Sequence, residues 1–210
     1  MSFVFFGDSL TEGDNCDTRF TEYLPCEWDV WNFGVSGTTI GEYSIYPVDG
    51  NSLLSQIEKH KEDIKCASNI FIEYGSNDVS AVMCGFATIQ TVVVSFVKAV
   101  DWIEQLNPDA RIIFLAFGSQ EVVKNKSENM CNYLERDYFS KFDFKFPASV
   151  YVSTYNKIVC EISKVCDIMY MFDNAMTDSK YLSDDNIHPN SVGHKRIAEN
   201  IIKQYSKTYM

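Results

Sequence analysis

No two cysteines in this sequence are spaced Cys-x-x-Cys, and the seven present (16, 26, 66, 84, 131, 160 and 166) are odd in number and scattered through apolar stretches. That distribution speaks against a disulfide framework and for reduced thiols, with Cys160 and Cys166 expected as small core residues. No secretory leader is expected: the first apolar run, Phe3-Val4-Phe5-Phe6, is four residues long and no basic residue precedes it. No run approaches the roughly 18 apolar residues of a membrane span. These absences imply a reducing cytoplasm and no membrane insertion. Positive charge is also scarce, with 18 Lys and Arg against 29 Asp and Glu, a formal net charge of −11 and no basic cluster. The average field repels nucleic acid and anionic lipid, so no nucleic-acid partner is expected. Neither Gly-x-Gly-x-x-Gly nor Gly-x-x-x-x-Gly-Lys-Ser/Thr occurs, which argues against the two common phosphate cradles. The Gly-x-Ser-x-Gly elbow of the α/β-hydrolase superfamily is missing as well.

What the chain does have is an ordinary globular balance, 46% apolar and 22% charged, over a length that suits one domain, residues 1–210. Five short, nearly continuous apolar runs have the look of strands buried on both faces of a parallel sheet: Ser2–Phe6, Asp29–Phe33, Asn69–Tyr74, Arg111–Phe117 and Asp167–Phe172. Segments of helical period fall between and after them, at Ser52–Lys65, Gly85–Leu106, Ser149–Lys164 and Ser191–Lys207. This alternation predicts an α/β fold, a three-layer α/β/α sandwich built from right-handed crossovers. Residues 118–147 break the rhythm as an irregular insertion. It begins polar and then carries Tyr133, Tyr138, Phe139, Phe142, Phe144 and Phe146, with room for a helix at Asn129–Ser140. Its rings are expected to pack under a long loop rather than to line an acyl or sugar pocket.

Ligands of open α/β sheets bind beyond the carboxyl ends of the strands, so the residues that follow each apolar run are the informative ones. They are Gly7-Asp8-Ser9-Leu10, Gly34-Val35-Ser36-Gly37-Thr38, Gly75-Ser76-Asn77-Asp78 and, after the last run, Asp185-Asn186-Ile187-His188-Pro189. A hydroxyl, a base to take its proton, an acid to orient the base and donors for an oxyanion are what acyl transfer needs. Ser9 stands where a tight turn would expose it, although capping a helix is an equally common task for serine. Only three histidines compete to be the base. His60 lies in a charged helix and His194 beside Lys195 and Arg196, both expected to face water, which leaves His188. Asp185, three positions earlier, can accept from its imidazole; the alternative is an Asp/His turn that caps the last helix. Asn77 could aim its amide, and Gly37 a backbone N–H, at the same site, or each could simply serve a turn.

The four blocks, the second of them read from Asn32 as Asn32-Phe33-Gly34-Val35-Ser36-Gly37-Thr38, in this order and spread over the whole chain, resemble the SGNH hydrolases, also called the GDSL lipase/esterase family. The resemblance implies a flavodoxin-like sandwich with a five-stranded parallel sheet. It implies Ser9 as nucleophile, His188 as base, Asp185 as its partner, and an oxyanion hole formed by the Ser9 N–H, the Gly37 N–H and the Asn77 side chain. No metal or organic cofactor belongs to the pattern. The expected function is hydrolysis of a small-molecule acetyl or short-acyl ester, with an O-acetylated carbohydrate as one candidate, through an acyl-enzyme. A lipid-directed lysophospholipase or thioesterase on the same site is the alternative within the family. From a different class comes a non-catalytic flavodoxin-like module holding an anion on Gly37-Thr38-Thr39.

Overall fold

The computed structural model describes residues 1–43, 52–118, 120–135, 147–173 and 178–209. Five strands form one parallel sheet: β1 (Ser2–Gly7), β2 (Asp29–Gly34), β3 (Asn69–Glu73), β4 (Arg111–Ala116) and β5 (Asp167–Tyr170), in the spatial order β2-β1-β3-β4-β5. Among the described residues eight helices connect or follow them: α1 (Ser9–Glu12), α2 (Leu53–Lys59), α3 (Lys61–Cys66), α4 (Ser76–Met83), α5 (Ile89–Leu106), α6 (Gln120–Tyr133), α7 (Ala148–Ile162) and α8 (Ser191–Tyr209). Single 3₁₀ turns occur at Phe20–Tyr23 and Ser179–Tyr181. The architecture is the expected α/β/α sandwich, and all five expected strands are present within two residues of their bounds.

Side chains alternate across a strand, and β1 shows why its sequence runs apolar without a break. Phe3 and Phe5 project to one face, where they meet Trp28, Phe20 and Tyr205 of α8. Phe6 projects to the other, against Phe33 and His60 beside α2 and α3. All four residues Phe3–Phe6 are fully buried, as are Ile70, Phe71 and Ile72 of β3. Covering a phenylalanine side chain this way contributes about 2–3 kcal/mol, so the central strands anchor the fold.

Two expectations are corrected. The stretch 118–147 is not irregular at its start, because Gln120–Tyr133 is a helix that ends where Asn129–Ser140 was to form one. Val122, Val123, Met130 and Leu134 give that segment its buried stripe. The rings of Tyr138, Phe139, Phe142, Phe144 and Phe146 lie outside the described residues. The thiols are free, yet Cys160 is exposed rather than a core residue. Among the described residues no helix is long and apolar enough to cross a membrane.

The strand order fixes where a ligand can bind. From β1 the chain crosses to β2 on one side and then to β3 on the other, so the loops leaving β1 and β3 diverge. They open a crevice at the carboxyl edge.

Candidate active site

The first loop is shaped by close approach. A Cβ at Gly7, the last residue of β1, would lie 2.0 Å from Thr11 Oγ1 and 2.9 Å from the Glu73 carbonyl. One at Gly34, the last residue of β2, would lie 2.3 Å from the Glu12 backbone nitrogen. The single turn of α1 therefore rests directly on two strand ends. Its cap is Asp8, whose Oδ1 accepts from Leu10 N at 3.0 Å and whose carbonyl accepts from Thr11 N and Glu12 N. Capping thus falls to Asp8 and not to Ser9, the first residue of the turn, which stays partly exposed. Asn32 completes the brace, donating to the Thr11 carbonyl at 2.7 Å and to Thr21 Oγ1 at 2.8 Å.

The closing loop is equally constrained. Leu182 and Pro189 form an antiparallel bridge, Ser183 N donates to the His188 carbonyl at 2.8 Å, and Asn186 takes a left-handed φ of 59°. Within this bend Asp185 Oδ1 accepts from Ile187 N at 2.8 Å and from His188 N at 3.0 Å. Its Oδ2 lies 2.5 Å from His188 Nδ1, and the far ring nitrogen, Nε2, lies 2.9 Å from Ser9 Oγ. Residues 179 positions apart are thus in hydrogen-bond contact. Burial pushes the Asp185 carboxyl up, but the His188 ring, the two backbone N–H groups and the imidazole's charge outweigh it. The group titrates below its ordinary range. The start of α8 is capped elsewhere: Asn190 Oδ1 accepts from Val192 N and Gly193 N, each at 3.0 Å. The Asp185/His188 pair is free of that task.

The other two expected donors lie just past the ends of β2 and β3. Gly37 sits at φ 74°, in the left-handed region where a side chain is disfavoured. The turn around it is closed by Thr38 N and Oγ1 on the Val35 carbonyl. Ser36 is clamped to α1 and its flank, with its N–H on Glu12 Oε2 at 2.5 Å and its hydroxyl on Asp14 Oδ2 at 2.6 Å. Asn77, at the start of α4, reaches across the switch point to Asp8 Oδ2 at 3.1 Å and to the Thr38 carbonyl at 2.9 Å. Both amide N–H groups are engaged at rest, so the side chain ties the first and second loops together. Donation to an oxyanion requires one of these bonds to be shared or exchanged.

Two histidines behave unlike their sequence reading. His194 does not face water: it is fully buried, stacks on Phe20, and its Nδ1 accepts from Phe20 N at 3.2 Å. His60 is half-buried at a break between α2 and α3, its ring 3.6 Å from that of Phe33. Sequence reasoning also passed over Asn15, and it gave no role to Asn32 or to the carboxyl of Asp78. The last is wholly buried, accepts from Ile40 N at 3.0 Å and Tyr43 Oη at 2.9 Å, and so holds the chain just after the second loop. Burial, reinforced by the charge of Asp8 and only partly offset by those two bonds, raises its pKa to about 7.

A serine, a histidine and an aspartate in hydrogen-bonded series on the carboxyl edge of a flavodoxin-like sheet define a class of hydrolase architecture. The sequence matches the profile of the GDSL-like lipase/acylhydrolase family over residues 5–196, and the chain belongs to that family. Solved structures agree in fold. A lipase from a goat rumen metagenome superposes with a TM-score of 0.62 at 15% identity, covering 97% of this chain and 96% of its own. The psychrotrophic esterase EstA from Pseudoalteromonas sp. gives 0.61 at 16%, covering 98% and 97%. An acetylxylan esterase from Geobacillus stearothermophilus gives 0.54 at 17%, covering 97% and 93%. Comparison with curated proteins finds no match.

Proposed function

We propose that this chain is a serine esterase that hydrolyses small acetyl or short-acyl esters, O-acetylated carbohydrate among them, through an acyl-enzyme. One observation carries the reading: the Ser9 hydroxyl stands 2.9 Å from His188 Nε2 while Asp185 occupies the opposite ring nitrogen at 2.5 Å. In that geometry His188 accepts the Ser9 proton as Oγ attacks the ester carbonyl, and the imidazolium is steadied by Asp185. The proton passes to the departing alkoxide, which leaves as the alcohol. Water then attacks the acyl-serine, giving its proton to His188 and releasing the acid as Oγ is reprotonated. The tetrahedral oxyanion of each step falls to the Ser9 and Gly37 N–H groups and the Asn77 amide. Short-acyl preference draws support from the acetylxylan esterase among the structural neighbours.

The test is a panel of p-nitrophenyl esters of increasing chain length, with acetylated sugars, run on wild type and on Ser9→Ala. Ser9→Ala is expected to retain only slight turnover and to lose labelling by a fluorophosphonate probe. Wild-type rates in that variant would remove the nucleophile. A preference for long acyl chains would remove the substrate class and leave the chemistry standing.

A further inference from the structure

Resting on the Ser9–His188–Asp185 reading, we infer that Asn15 is a positioning residue for the catalytic acid, steadying the carboxylate oxygen that receives the imidazole and that no backbone donor of the acid's own bend holds. The two oxygens of Asp185 are held in different ways. Oδ1 takes both backbone donors of its own bend, Ile187 N and His188 N. Oδ2, the oxygen that receives the imidazole, has no backbone donor from that bend; its second partner is Asn15 Nδ2, at 2.9 Å. The same nitrogen is 3.4 Å from His188 Nδ1, so two donors converge side by side on one oxygen. A neutral amide suits that place: it orients the carboxylate without adding a positive charge that would oppose the imidazolium.

The side chain is delivered with care. Asn15 has a φ of 62°, a left-handed conformation that asparagine tolerates better than most residues. Its carbonyl accepts from Ser183 Oγ at 3.0 Å, a second contact with the closing loop. The contacts continue along the following residues, with Asp17 N on Ser191 Oγ at 3.1 Å and Phe20 N on His194 Nδ1 at 3.2 Å. The segment after the nucleophile is thus laid along the segment that bears the base and acid, and Asn15 is its point of contact with the reacting chain of groups.

Two variants separate positioning from shape. Asn15→Gly keeps the left-handed backbone and removes the amide. Asn15→Asp keeps size and backbone preference but sets a carboxylate in place of the donor, facing Asp185 Oδ2. Both are expected to lower kcat roughly tenfold, as loss of one hydrogen bond to a charged group does, with KM changed less than about twofold. A residue needed only for its left-handed backbone would be replaced by Gly without loss of kcat. The readout independent of turnover is the downfield proton resonance of His188 Nδ1–H, expected to move in Asn15→Gly at unchanged thermal stability. Wild-type kcat with an unmoved resonance in Asn15→Gly, beside an inactive Ser9→Ala, would overturn the role of Asn15 alone. An active Ser9→Ala would overturn the reading on which it rests.

Discussion

Asp78→Asn tests the electrostatics of the crevice, because it replaces a buried carboxyl by a neutral group of the same shape. Asp78 titrates at about 7 in the folded chain against an ordinary 3.8. Three units at about 1.4 kcal/mol each give a penalty of about 4 kcal/mol for the ionised form. Because the folded value is the higher one, the folded chain holds a proton that the unfolded chain has released across this window. Stability is therefore full below about pH 4 and falls as pH rises through about 7. The asparagine is neutral throughout and keeps an acceptor for Ile40 N and Tyr43 Oη. Its amide replaces Oδ2, for which the described residues offer no hydrogen-bond partner, and that fixed cost of about 1–3 kcal/mol does not vary with pH. The difference variant minus wild type should thus grow by roughly 2–3 kcal/mol between about pH 5 and about pH 8. Urea denaturation of both proteins at the two values measures it. Parallel curves, with a constant difference, would show that Asp78 is ionised throughout and that its burial does not govern its titration.

Asn77→Ala removes the amide that ties Asp8 to Thr38 and that is proposed above to serve the oxyanion. Steady-state assays should show kcat lower by roughly 10²–10³-fold, and a fall in melting temperature should accompany it. Gly34→Ala places a methyl group 2.3 Å from the Glu12 backbone nitrogen, so α1 must move. Destabilisation of about 1–3 kcal/mol by denaturant titration is expected, with reduced kcat because Ser9 is carried on that turn.

The sheet was legible because its central strands are covered on both faces, which writes an unbroken apolar run such as Phe3–Phe6 into the sequence. The residues at the strand ends were legible because a glycine, an amide and a serine together are unusual at one edge. α4 was missed for the opposite reason: Ser76-Asn77-Asp78-Val79-Ser80 reads as a polar turn, yet every one of those side chains is buried. His194 misled through its neighbours, Lys195 and Arg196. Helical period, applied strictly, places it with Ile197, Ala198, Ile201 and Tyr205, all of them buried. Asn15 left no local signal, since its partner is 170 residues away and an exposed loop asparagine is ordinary.

How the last loop of the chain comes to lie over the first has a physical answer in α8. Its far end packs Tyr205 edge-on against the stacked pair Phe3 and Trp28 near the beginning of β1. Nearer its middle, Asn200 and Gln204 bond the backbone of Met171 and Tyr170 just past the opposite, β5 side of the sheet. A helix of 19 residues spans about 28 Å, enough to run from that seat up to the carboxyl edge. There its first turn is pinned to the loop after α1 by Ser191 and His194. His188, three residues before the helix begins, is therefore held at Ser9 by a rigid strut seated in the core rather than by the loop alone. The 2.9 Å separation between hydroxyl and imidazole is in this sense a property of the packing of Ile197, Ile201 and Tyr205 against the sheet. A cavity cut beneath that face, by Ile201→Ala, is expected to cost about 2–5 kcal/mol of stability in a denaturant titration and to lower kcat with it.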